Sequence, residues 1–200
     1  MRKIINFRKY LAVSVTGLLL FPSLSWAAVY KVDPDHTTVS FKIRHIFTKV
    51  QGVFNKFEGT VEYEPGKPDA WRASGTIDAA SINTNVVDRD KHLRSAEFFD
   101  VEKYPTITFK GAKITDATET NAKMDGLLTI HGAEKPVVLD VEVHGVGKDP
   151  WGGTRAGFTA ATKINRKDFG LTWDKRLETG GLIVGDEVEI TLEIEAILQK

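Results

Sequence analysis

Residues 187–198 read "EVEITLEIEAIL". Val188, Ile190, Leu192, Ile194 and Ala196 take one side of an alternation, and Glu189, Thr191, Glu193 and Glu195 take the other. Side chains of a strand point alternately to its two faces, whereas a helix repeats every three to four residues, so a strict period of two is a strand. One apolar face and one charged face mean an antiparallel sheet, packed on one side and wet on the other.

Working outward, the same signature recurs. It appears in "TVSFKI" (38–43), "FEGTVEYEP" (57–65), "ASGTIDAASI" (73–82), "TITFKGAKI" (106–114), "KMDGLLTI" (123–130), "VVLDVEV" (137–143) and "RAGFTAATKI" (155–164). "HGAEKP" (131–136) reads as a hairpin loop between two of them. About eight runs separated by Gly, Pro and Asp turns predict an all-β meander, either a barrel or a sandwich. No internal repeat or linker divides it, which predicts one domain over 28–200. The parity puts Phe41, Ile43, Phe109 and Phe158 inside. It also puts small residues inside: Gly59, Gly75, Ala79, Gly126, Ala156 and Ala160. These admit two readings: they fit the taper of a filled barrel, or they leave room for one elongated apolar ligand.

The start of the chain is different material. "MRKIINFRKY" has four basic residues and no acid, "LAVSVTGLLLF" is apolar, and "PSLSWAA" places small residues at Ser25 and Ala27. That order predicts a secretory signal, residues 1–27, cut before Ala28, with no stable membrane insertion afterwards. Its loss leaves 23 basic against 27 acidic residues. A mildly acidic chain argues against nucleic-acid binding, and against docking on anionic lipid by charge. There is no cysteine, which rules out disulfides, thiolate metal sites and a cysteine nucleophile. Signal and composition together predict a soluble periplasmic protein.

"RDKHLRSAEFFD" (89–100) breaks the alternation. His92, Leu93, Ala96 and Phe99 or Phe98 fall at helical spacings, Asp88 or Asp90 can cap the start, and Pro105 forbids continuation. A short helix joining two strands has to lie over the barrel. Its phenylalanines, Phe98 and Phe99, should then point inward and its basic residues toward the rim.

Catalytic and metal signatures are weak. The five histidines, His36, His45, His92, His131 and His144, lack zinc-motif spacing and no HExxH occurs. His131 and His144 read as solvated, while His45 shares the inward parity of Phe41 and Ile43. His92 with Arg94 offers an anion contact or a plain helix surface. Ser74, Ser81 and Ser95 have no GxSxG around them. "DPDH" (33–36) reads as a turn. "DFG" (168–170) lacks the other kinase motifs, and Phe169, Leu171 and Trp173 read instead as a plug for one barrel end.

Seven stretches together, "VDPDHTTVSFKIRH", "GVFNKFEGTVEYEP", "IDAASINTN", "RDKHLRSAEFFDVEKYPTITF", "GLLTIHGAEKPVVLDVEV", "FTAATKINRKDFGLTW" and "VGDEVEITLEIEA", resemble the YceI-like family, exported bacterial proteins regarded as polyisoprenoid binders. The resemblance runs over essentially all of 28–200. It implies an extended lipocalin-like antiparallel barrel holding an isoprenoid chain, often as a homodimer. On it rests the expectation of a non-enzymatic periplasmic carrier, store or scavenger of a quinone or polyprenyl phosphate, without cofactor or metal. The alternatives are a filled scaffold that binds a protein partner as a stress or assembly factor, and an enzyme acting on bound lipid. The candidate ligand contacts are Phe41, Ile43, His45, His92, Leu93, Arg94, Phe98, Phe99, Phe109, Phe158, Phe169 and Trp173.

Overall fold

The computed structural model describes residues 27–175, 177–178 and 181–200, so the expected signal segment lies, but for Ala27, outside the described residues. The strands are β1 (Ala28–Val32), β2 (Thr38–His45), β3 (Thr48–Phe54), β4 (Phe57–Tyr63), β5 (Arg72–Asp78), β6 (Ile82–Asn83), β7 (Thr106–Thr115), β8 (Asn121–Ile130), β9 (Ala133–Lys148), β10 (Thr154–Asn165) and β11 (Val184–Leu198). One α-helix, α1 (Val87–Arg94), interrupts them. All pairings are antiparallel, and β1 meets both β4 and β11, so the sheet closes.

The closed wall has eight staves, as the alternation predicts, but three are broken. β1 and β2 lie in line along β11, with Val32 opposite Ala196 and Thr38 opposite Glu193. β3 and β4 continue each other beside β2 and β1. β5 and β6 continue each other beside β4 and β3. The breaks sit at one level and are stitched by polar groups. The Thr37 hydroxyl donates to Glu195 O at 3.1 Å and accepts from Glu195 N at 3.1 Å, taking the place of the missing ladder. Asn55 N donates to Ser81 O, and Lys56 N to Ser81 Oγ at 3.1 Å. Backbone groups that lose their ladder partner inside a wall must find another.

The hairpin between β8 and β9 is tighter than expected. It is the two residues His131 and Gly132, at φ 50° and 74°, and "AEKP" belongs to β9. Two left-handed residues match the twist of the flanking strands. Pro136 is tolerated because it pairs only with Leu127 of β8; β9 meets β10 only from Asp140 onward. His131 is not a free tip either, for its ring lies 4.4 Å from that of Tyr104.

The helix also differs in extent. It begins two residues before Arg89 and ends at Arg94, not Asp100, because Ser95 turns extended and residues 95–104 follow as successive hydrogen-bonded turns. Neither aspartate caps it. Asp90 is buried and its Oδ1 accepts from Thr84 N at 2.9 Å and from the Thr84 hydroxyl, tying the helix to the end of β6.

Two clusters fill the two ends of the barrel. Tyr30, Tyr63, Trp71, Met124, Phe158 and Ala196 head the first. Val39, Phe54, Ile82, Ile107, Ile130 and Phe169 head the second, which Leu93 and Phe99 join from the helix side. Between them the expected parity holds, with Phe41 paired to Ile190 and Val39 to Leu192, and with Lys42 and Glu193 exposed. Phe41, Ile43, Ile190 and Leu192 are half-buried rather than fully buried, because the wall they form faces an open cavity.

Candidate functional site: an apolar barrel cavity

The cavity measures about 580 Å³, within the usual range of small-molecule sites. Of the two readings of the small inward residues, each holds in a different place. Gly59 pairs directly with Gly75, and a Cβ at Gly59 would stand 2.8 Å from Ser74 O, so the room there is at Gly75. A Cβ at Gly75 would meet only Glu58 O, at 3.5 Å. Gly126 is instead roofed by the Phe109 ring, 2.5 Å from where a Cβ would stand, and Gly52 is filled by the Phe41 ring. Ala79, Ala156 and Ala160 are packed into the end clusters. The barrel is therefore filled at its ends and hollow in the middle.

At one end the floor is aromatic. The Tyr63 ring lies 4.8 Å from Trp71 and 5.2 Å from Phe158. Trp71 Nε1 donates to Glu64 O at 2.8 Å, so its one polar atom is satisfied. Burial pushes the Tyr63 hydroxyl pKa up, which keeps it neutral.

The other end is covered by α1 and the chain after β10. His92 stands edge-on to Phe98 at 4.9 Å and to Trp173 at 5.5 Å, and those two rings are 5.0 Å apart. His92 Nε2 also bonds the Glu97 carboxylate, which that bond holds below the ordinary carboxylate range.

Ten of the twelve expected contacts line the cavity: Phe41, Ile43, His45, His92, Leu93, Phe98, Phe99, Phe109, Phe158 and Trp173. Phe169 does not. It is buried within the second cluster, at 2% exposure. Arg94 does not either: its guanidinium donates to Ala80 O and Ile82 O, both at 2.7 Å, and so staples the helix to the β5–β6 break. The arginines that reach the lining are Arg89 and Arg166. Arg89 donates to the Thr84 hydroxyl and carbonyl. Arg166 is almost wholly buried; it donates to Leu171 O, to Gly185 O at 2.9 Å and to Asp186. Sequence reasoning passed over both, because their partners are backbone carbonyls and a turn. It also passed over Trp71, which sits in a turn outside any alternation. Tyr63 was legible from the parity of β4.

Chemically the cavity can enclose an apolar chain. Ser74, Ser81 and Ser95 bond a threonine hydroxyl or backbone carbonyls. Outside the barrel, Asp33, His36 and Glu195 bring ligand-type atoms within 4.8 Å, but Arg155 takes both carboxylates. That guanidinium holds the Asp33 carboxyl down at about 2.

The molecule is similar to proteins of several bacteria. A UPF0312 protein of Vibrio cholerae is 39% identical over 164 residues, 80% of this chain and 87% of that protein. The crystal structure of BcnA from Burkholderia cenocepacia superposes with a TM-score of 0.73 at 28% identity, over 82% of this chain and 99% of that one. A polyisoprenoid binding domain from Saccharophagus degradans has the same fold, with a TM-score of 0.64 at 14% identity, over 86% of this chain and 99% of the domain. A family model for the YceI-like domain matches residues 30–196, every stave of the barrel included, and the chain belongs to the YceI-like family.

Proposed function

We propose that the protein is a binding protein for one long isoprenoid chain, held in the barrel and carried, stored or scavenged without chemical change. The observation that carries this reading is the hollow middle of the barrel, walled by aliphatic and aromatic side chains and floored by Tyr63, Trp71 and Phe158. A cavity without convergent polar groups recognises length and branching rather than functional groups. Each enclosed methylene contributes about 0.8 kcal/mol, so a long tail needs no polar contact to bind tightly. The polyisoprenoid binding of the Saccharophagus degradans domain, which shares the fold, supports the choice of tail. The signal-like order of residues 1–27 supports export to the periplasm, where such a carrier would shield a quinone or polyprenyl phosphate from water. Choice of head group falls to the helix end, where Arg89 and Arg166 reach the lining and Arg94 does not.

Mass spectrometry of lipid extracted from the natively purified protein tests this. A bound isoprenoid, recovered unaltered after incubation, is the expected result. A preparation free of isoprenoid that takes up neither a quinone nor a polyprenyl phosphate sinks the carrier reading. Conversion of either lipid on incubation makes the protein an enzyme instead.

A further inference from the structure

The cavity lining runs close to two exposed apolar points. At the helix end its lining brings together His45 and Val50 of the β2–β3 hairpin with Asp88 and Arg89 of α1. On that flank β3 is paired by β6 only at Val53 and Phe54, and Thr84 lies against Gly52 beyond. Among the described residues, then, the wall between Thr48–Gly52 and α1 is made by side chains, not by a ladder. Phe47 caps the hairpin and is 96% exposed; Val87 opens the helix and is 83% exposed, with Val86 beside it at 45%. Single exposed apolar residues are ordinary, but Phe47 stands two residues from His45 and Val87 stands next to Asp88, both of which line the cavity.

The charge around them is not that of the whole chain. Lys42, Arg44 and Lys49 share the outer face of the hairpin, with Lys42 paired to Gln51 and Arg44 to Lys49, and Lys91 is exposed on the helix. Against these stand Asp88 and, on the neighbouring β11, Asp186, Glu187 and Glu189, each of the last three bonded to a lysine: Lys167, Lys163 and, at 2.7 Å, Lys49. Overall acidity therefore does not speak for this corner, where cations outnumber acids. The described residues hold no helix long and apolar enough to cross a membrane. What they hold is an apolar tip in a basic collar, the pattern of a surface that lies on a bilayer rather than through it.

We propose that the β2–β3 hairpin tip and the start of α1 dock on an anionic lipid bilayer, with Phe47 and Val87 inserted, so that an isoprenoid tail passes between membrane and cavity without crossing water. The purpose of this docking rests on the carrier reading; the docking itself does not. Trp151 provides the control: it is 81% exposed on the β9–β10 turn, a stretch in which no residue from 142 to 157 lines the cavity, and its neighbour Asp149 is tied to Arg155.

The chain has no cysteine, so single cysteines can be labelled cleanly. Phe47→Cys, Val87→Cys and Trp151→Cys, each carrying a polarity-sensitive dye, are mixed with vesicles of phosphatidylcholine containing phosphatidylglycerol. The dye at 47 and 87 should shift to the blue and become shielded from iodide, and the dye at 151 should do neither. The double change Phe47→Ser, Val87→Ser should lower vesicle partitioning roughly tenfold or more. Three outcomes overturn the proposal. The dyes at 47 and 87 stay in water on the vesicle, the dye at 151 responds as strongly, or the shift at 47 grows with protein concentration without vesicles, which would make the face a contact between two copies. None of these readouts needs an isoprenoid, so lipid extraction judges the carrier reading separately.

Discussion

Tyr63 between Trp71 and Phe158 and His92 between Phe98 and Trp173 are two aromatic triplets that close opposite ends of one barrel. The first is set on the wall itself, for Tyr63 ends β4 and Phe158 lies within β10, each laddered to its neighbours. The second is set on α1, the turns after it and the stretch beyond Phe169, which reach the wall through side-chain bonds such as Arg94 to Ala80 O and Ile82 O. A ladder gives way only when the barrel unfolds. A few side-chain bonds give way locally, at much smaller cost. The same kind of cluster is therefore a floor at one end and a detachable cover at the other.

The largest effect should come from the floor. Phe158→Ala removes a buried ring and should cost about 3–5 kcal/mol in denaturant melts, with or without bound lipid. If Phe98→Ala costs as much, the contrast between the ends collapses. Next comes the tie of the cover: Asp90→Ala leaves the Thr84 amide without its acceptor and should cost about 1–3 kcal/mol. Hydrogen exchange should quicken over 84–94 and stay unchanged in β10 and β11; uniform quickening would mean that the helix is part of the same cooperative unit. Trp173→Ala should cost about 1 kcal/mol, and its clearer sign should be faster release of bound lipid in stopped-flow. Gly75→Leu should alter stability least, because its Cβ has room and a strand glycine is intrinsically costly, by roughly 0.5–1 kcal/mol. It should nevertheless cut lipid uptake, and normal uptake would place the tail elsewhere.

Acid probes the outer wall near the floor. Arg155 holds the Asp33 carboxyl at about 2, below its ordinary 3.8. A depressed carboxylate adds stability that is complete above the ordinary value and is lost as pH falls through the folded one. Melting temperature should thus fall between about pH 4 and pH 2, and Arg155→Leu should flatten that decline. An unchanged slope in the variant would assign the acid sensitivity to other carboxylates.

The wall was legible wherever one face of a strand meets water. β11 is the clearest case, since its glutamates alternate with residues that line the cavity. β3 was not picked out, although Val50 and Phe54 follow the period, because the turn before it is Ile46–Phe47. Two apolar residues carry no turn signal, and Ile46 adopts φ 50° against its own preference. The stave breaks were equally hidden. "DPDHT" reads as any turn, and nothing local tells that the Thr37 hydroxyl will bridge a ladder to Glu195, far along the chain. At the candidate site, inward parity found the aromatic wall, and helical spacing found the cover but not its limits. Arg94 was misjudged because a guanidinium's commonest partners in this molecule are carbonyls, which every residue possesses.

Three adjacent staves break at a single level while the other five run through. An uninterrupted stave carries its tilt, and hence the bore of the tube, from one rim to the other. Interrupted ones decouple the two halves on that side. There 38–54 and 79–105 form a collar that meets the rest of the barrel through turns, although β2 remains laddered to the continuous β11. Substitutions at such a joint can reshape one mouth of the barrel while the tilt of the continuous staves stays as it is.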